Sequence, residues 1–166
     1  MGVRNEQWHF FIGLPTNPKK PKIDGDTKDI IAVAAIDLVV SKSKDGKDAM
    51  NRKFVKYTAA YAKKKGVPRS QVDLTFEDKM LNAIKLIKER GQQNRLKIGF
   101  RKNSKENAKA EGNILGTYGH DTPVQKPRHF LGLTKKEIIA IVKAFAPEYS
   151  RAEILGAQTN PNIATT

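Results

Sequence analysis

What most limits how this chain can fold is where its charge sits. Residues 41–65 hold nine Lys or Arg against two Asp, and residues 66–110 hold eleven basic side chains against five acidic ones. Together these stretches supply almost all of the formal +14. Ammonium and guanidinium groups resist leaving water unless they are paired, so this basic middle must stay solvated or face an anionic partner. Residues 24–40 run the other way, with one Lys and four Asp, and the last 33 residues are nearly neutral. A pI of 10.0 biases the whole chain toward polyanions.

A core is still affordable. Hydrophobic residues make up 39% of the 166, and the 12 glycines bring the count near that of a folded domain. The length suits one domain. With no cysteine, a disulfide scaffold, thiolate catalysis and Cys-ligated metal sites are excluded. The longest apolar run, Ile30 to Ile36, falls far short of the ~20 residues a bilayer span needs, so a soluble chain without a membrane role is expected. No small-residue cleavage site follows the short apolar N-terminal stretch, so no signal peptide is read.

Residues 15–23, PTNPKKPKI, carry three prolines and read as a linker. Ahead of them lies an arm with one short strand within Glu6–Leu14, bearing Trp8, Phe10 and Phe11. The spacing of Ile31, Ala34, Ala35 and Leu38 predicts a helix over about 27–41, with Asp26 or Thr27 as its cap. Thr58, three alanines, Lys63 to Lys65 and Gly66 predict a short helix that ends on its lysines. A second capped helix is expected from Thr75, with Glu77 and Asp78 in its first turn and Met80, Leu81 and Ile84 facing inward. Segments around Ala83–Glu89 and Arg95–Arg101 predict a hairpin, with Leu96, Ile98 and Phe100 inside. A polar helix is expected over about Ser104–Leu115, followed by a Gly/Pro-rich loop to residue 128. Thr134 and Glu137 form a capping box, and Ile138, Ile141, Val142 and Phe145 the stripe of a final helix. After Pro147 the tail reads as an extended arm.

Candidate chemistry is sparse. His9, His120 and His129 are the only imidazoles, and none lies four residues from another, so metal-ligand spacing is absent. His120 beside Asp121 has the makings of a general base, against the plainer reading of a solvated turn. EGNILGTYG lacks the phosphate-loop lysine. No catalytic, cofactor or metal constellation is read. Tyr57 and Tyr61 among Lys63, Lys64, Lys65 and Arg69 have the basic-plus-aromatic character of single-strand binders. The plainer alternative is that the tyrosines anchor a short helix whose lysines are solvated.

The order of the pieces is more specific than any one of them. Phe54, Tyr57, Tyr61, Ala62 and Lys65 form a first block; Leu74, Thr75, Met80, Leu81, Asn82 and Ile84 a second; Ile98, Gly99 and Phe100 a third; and Pro127, Arg128, Phe130, Leu131, Gly132, Leu133 and Thr134 a last. Over about residues 27–146 this series resembles the tail-completion or virion-morphogenesis proteins of tailed bacteriophages, the head-tail joining family. The resemblance implies an assembly protein rather than an enzyme, with these motif residues structural. It further implies a ring, hexameric or twelvefold, at the neck or tail-proximal end of the virion, made in the host bacterial cytoplasm. Adjacent connector and tail proteins would be its partners, with transient contact to packaged DNA and no cofactor.

The expected architecture is α+β, a small antiparallel sheet covered by helices over residues 24–146, flanked by arms at 1–23 and 147–166. Lys63, Lys64, Lys65, Arg69, Lys97, Arg101 and Lys102 are the candidates for a DNA-facing lumen, some of them meeting acidic neighbours instead. Trp8, Phe10, Phe11, Tyr149, Ile154 and Leu155 are candidate interface anchors on the arms. Alternatively, Trp8 and its neighbours add an edge strand to their own sheet. A basic nucleic-acid-binding protein without enzymatic activity is the competing function, and a hydrolase using His120 a third.

Overall fold

A computed structural model of the chain describes residues 6–74, 79–118 and 120–158. Its sheet is built by three short segments: β1 (His9–Gly13), β2 (Lys85–Ile87) and β3 (Arg95–Gly99), in the order β1-β3-β2 and antiparallel throughout. The expected hairpin is β2 and β3, with Leu86 opposite Ile98. Phe10 pairs with the same Ile98 from the other side, and Ile12 with Leu96. Opposed residues share a face, so these five point one way. Trp8, Phe10, Ile12 and Leu14 alternate along their strand and all four are buried. The N-terminal segment is therefore the edge strand of the chain's own sheet rather than a free arm. Its alternating apolar side chains need a core, and the open side of β3 provides one. Gly99 is where β1 comes closest: a Cβ there would stand 2.1 Å from the Trp8 carbonyl oxygen.

One face of the sheet is covered by α1 (Gly25–Lys44), which packs on β2 and β3. Its cap is Asp24, whose carboxylate accepts from the Thr27 N–H at 2.7 Å, in place of Asp26 or Thr27. The buried stripe is Ile31, Ala32, Ala35 and Val39, rotated from the expected one so that Ala34 and Leu38 sit at its margin. Next come α2 (Ala59–Lys65), capped by Thr58 and ended by Gly66, and α3 (Lys79–Asn82), with Met80 and Leu81 buried. Thr75, Glu77 and Asp78 lie outside the described residues. The helix α4 (Lys105–Leu115) takes Ser104 as cap, and α5 (Lys135–Phe145) has the Thr134–Glu137 capping box. On α5 the inner stripe is Ile138, Ile139 and Val142, while Phe145 is 42% exposed, because Ala146 rather than Phe145 continues the buried row. No described helix is long and apolar enough to cross a membrane.

The C-terminal segment also folds back. Ser150 and Glu153 make a second capping box, which opens α6 (Arg151–Gly156) against α5. Tyr149 and Ile154 are fully buried, and the Tyr149 hydroxyl donates to the Pro21 carbonyl at 2.7 Å. Glu153 also binds Lys20 and accepts from Asn17 Nδ2 at 3.1 Å, so the proline-rich segment is clamped to α6. The Lys20 ammonium, with the Ser150 N–H and Asn17, holds the Glu153 carboxyl at about 2. At the far edge Gln158 pairs with Gly13 as a strand residue would: its Oε1 accepts from the Gly13 N–H at 2.9 Å, and its Nε2 donates to the Gly13 carbonyl at 2.7 Å.

A polar pin joins α1 to α5. Lys42, 6% exposed, donates to the Ala49 carbonyl at 2.9 Å and to both Glu137 oxygens at 2.8 and 3.0 Å. Asn51 Nδ2 donates to Glu137 Oε1 at 2.8 Å. Burial works against ionising Glu137, but the bonds from Lys42, Asn51 and Thr134 outweigh it and hold the carboxyl below its ordinary range.

Candidate functional site

The face of the sheet turned away from α1 carries the chemistry that a basic binding surface needs. Register places Lys85, Gly99 and His9 in one row and Ile87, Lys97 and Phe11 in the next, with Arg95 beyond. Phe11 is half-buried there. The Arg95 guanidinium lies 3.9 Å from its ring centre and His9 meets it edge-on at 4.8 Å. Arg95 is also bound to Glu89 through Nε and Nη2, both at 3.1 Å, so its charge is partly answered. His9 donates from Nδ1 to the Gln7 carbonyl at 2.6 Å. Burial, aided by nearby Lys97, pushes the imidazole below its ordinary value, although the bond to Gln7 pulls the other way. The Lys85 and Lys97 ammonium groups make no ion pair among the described residues. Arg101 and Lys102, exposed just past the end of β3, extend the same cationic edge. The arrangement offers a polyanion four cations without an ion-pair partner among the described residues, beside a Phe11 ring that Arg95 already covers.

The candidate lumen set divides. Lys97, Arg101 and Lys102 belong to this face and its end, and Lys63 and Lys64 are exposed on α2. Lys65 and Arg69 are engaged within the chain. Lys65 binds the Asp73 carboxylate and the Tyr57 hydroxyl, the latter at 3.1 Å, and these bonds keep it protonated in spite of burial. Arg69 Nε donates to the Tyr57 carbonyl at 2.9 Å. Of the candidate interface anchors, Trp8, Phe10, Tyr149 and Ile154 are interior side chains of the chain's own core. Phe11 lies on the open sheet face, and Leu155 remains 46% exposed.

The first and last motif blocks meet at Tyr57. Its ring is 5.1 Å from the Lys65 ammonium, 5.2 Å from the Arg128 guanidinium and 4.7 Å from the Tyr61 ring. Phe54, Met80, Leu81, Phe130 and Leu131 are buried, Leu74 is half-buried, and Pro127 is exposed beside buried Arg128 and Gly132. Phe130 meets Phe100 of the third block edge-on at 6.2 Å. His120 and Asp121 both face solvent in their loop. Among the described residues no group of three or more His, Asp or Glu is placed to hold a metal ion.

His9, Lys85 and Arg95 were not readable as site residues, because their shared face exists only once β1 pairs with β3. The available signal was the period-two run Trp8, Phe10, Ile12, Leu14, which marks a half-buried strand in need of a sheet. No family model matches the chain, and neither a curated protein nor a solved structure matches it.

Proposed function

We propose that this chain is a structural virion protein of a tailed phage, a ring-forming tail-completion or head-tail connector component at the neck. In this reading it acts without catalysis, as a hexamer or a twelvefold layer between adjacent connector and tail proteins. The observation that carries it is the order of the four sequence blocks. Contact of the first block with the last through Tyr57 and Arg128, and of the third with the last through Phe100 and Phe130, is consistent with one packed unit. The cationic sheet face with Lys85, Lys97, Arg101 and Lys102 is then the surface that DNA passes. Its cations sit beside a single half-buried ring, which suits sliding contact better than tight holding. Negative-stain imaging of the purified protein should show rings, and particles lacking it should accumulate as unjoined heads and tails. A monomer that is dispensable for joining overturns the reading.

The same sheet face favours one competing function, a nucleic-acid-binding protein outside any virion. That protein would be monomeric and bind DNA with strong salt dependence.

A further inference from the structure

Two surfaces carry complementary features that the chain does not use internally. On α1, Asp26, Asp29, Ile30, Val33 and Asp37 recur at spacings of three and four residues and share one stripe, opposite the core row of Ile31, Ala35 and Val39. All five are exposed, Ile30 at 49% and Val33 at 58%. No ion pair reaches the three aspartates among the described residues.

The second surface is a cleft of about 430 Å³ lined by Lys56, Thr58, Val124, Lys126, Pro127 and Arg128. Lys56 and Lys126 are exposed and have no ion-pair partner among the described residues, and Val124 is 53% exposed. Beneath them Arg128 is only 4% exposed and has no carboxylate partner among the described residues. Its Nη1 makes one long bond, 3.4 Å, to Gln125, its Nε makes none, and its remaining neighbours, the Tyr57 ring at 5.2 Å and the Tyr118 hydroxyl, carry no full negative charge. A guanidinium this buried without a counter-ion is costly, and it leaves the cleft electropositive.

We propose that this cleft receives the acidic outer face of α1 from a second copy of the chain. The aspartates meet Lys56 and Lys126 over the buried charge of Arg128, and Ile30 and Val33 pack on Val124 and Pro127. Valine and proline walls suit a helix face that mixes carboxylates with aliphatic groups; a phosphate backbone offers them nothing. Because the two surfaces differ, the contact is head-to-tail and leaves one surface of each kind free on every pair, the condition for a ring. The proposal rests on the ring reading above and names its contact.

Charge reversal tests it, since every altered position is exposed. One variant is Asp29→Lys with Asp37→Lys, the other Lys56→Glu with Lys126→Glu, each checked by circular dichroism for an unchanged fold. In sedimentation equilibrium the wild type should self-associate and each variant alone should weaken association at least tenfold. An equimolar mixture should regain it, because Lys-bearing α1 then meets the Glu-bearing cleft and native α1 meets the native cleft. A monomeric wild type, unaffected variants, or a mixture that stays monomeric overturns the proposal. Rings that persist in both variants remove this contact and leave the ring reading standing. Restored association without rings in the micrographs does the reverse. If the Lys56→Glu, Lys126→Glu variant loses duplex DNA affinity while self-association is unchanged, the cleft belongs to nucleic acid and the proposal falls.

Discussion

Lys42 shows how a lysine from the basic middle is taken into the interior: it is surrounded by a backbone carbonyl and both oxygens of Glu137, so its charge is answered where it sits. Removing one member of such a pair strands the other. Lys42→Met keeps the aliphatic stem and should cost about 3 kcal/mol in urea unfolding at neutral pH. Acid should narrow that gap. Glu137 has its folded value below the ordinary 4.5, so its stabilisation is present above that pH and is lost as pH falls through the folded value. A gap between Lys42→Met and wild type that is unchanged at low pH would show that lost packing, and not the carboxylate, is what the substitution removes. Phe130 tests the apolar side of the same core. It is 1% exposed and packed edge-on against Phe100, so Phe130→Ala should cost ~3–5 kcal/mol; an unchanged melting temperature would contradict its burial.

Among the elements, β1 has the most to lose. Its pairing with β3 brings Phe10 and Ile12 into the core and carries the flanking Trp8 and Leu14 with them. Deleting residues 1–14 should therefore give an unfolded, aggregating chain, read by loss of the cooperative melt and by light scattering; a soluble, cooperatively melting product would return these residues to the status of an arm. The helices α2, α4 and α5 are legible in the sequence because their caps and apolar spacing are local: Thr58 with Gly66, Ser104, and Thr134 with Glu137. The hairpin is legible for the same reason. What escapes is what depends on distant partners. The strand in Glu6–Leu14 is visible as a strand, but its neighbour, β3, is far along the chain and beyond a proline-rich segment that looks like a spacer. That segment is held by Tyr149 and Glu153, which no local pattern reveals. For α6 a signal existed, since Ser150 and Glu153 stand at capping-box spacing, yet six residues carry too little periodicity to compete with the reading of a tail. The cationic face mixes both cases: Lys97, Arg101 and Lys102 are picked out by charge, whereas Lys85, His9 and Arg95 join them only through register.

For the whole molecule, some of the 31 basic side chains, Lys42 and Lys65 among them, are answered by internal carboxylates, and the +14 is the excess of basic over acidic groups that such pairs leave untouched. If the sheet face meets DNA through Lys85, Lys97, Arg101 and Lys102, four phosphate contacts predict a log–log salt slope of about −3 to −4, on the order of a hundredfold loss of affinity between about 50 and 200 mM salt. Lys97→Glu should lower that slope by about one; a slope unchanged by it would move the contact to α2. The two ends of the folded unit meet at Gly13 and Gln158, where a side-chain amide occupies the place of a missing fourth strand. At Gly13, whether the outer edge of β1 is closed or open to pairing thus depends on a single side-chain amide. Hydrolysis of that amide to a carboxylate would set two acceptors against each other at the Gly13 carbonyl and uncover a template for another chain's backbone. One slow chemical lesion at Gln158 would then open that stretch of the sheet margin to pairing from outside.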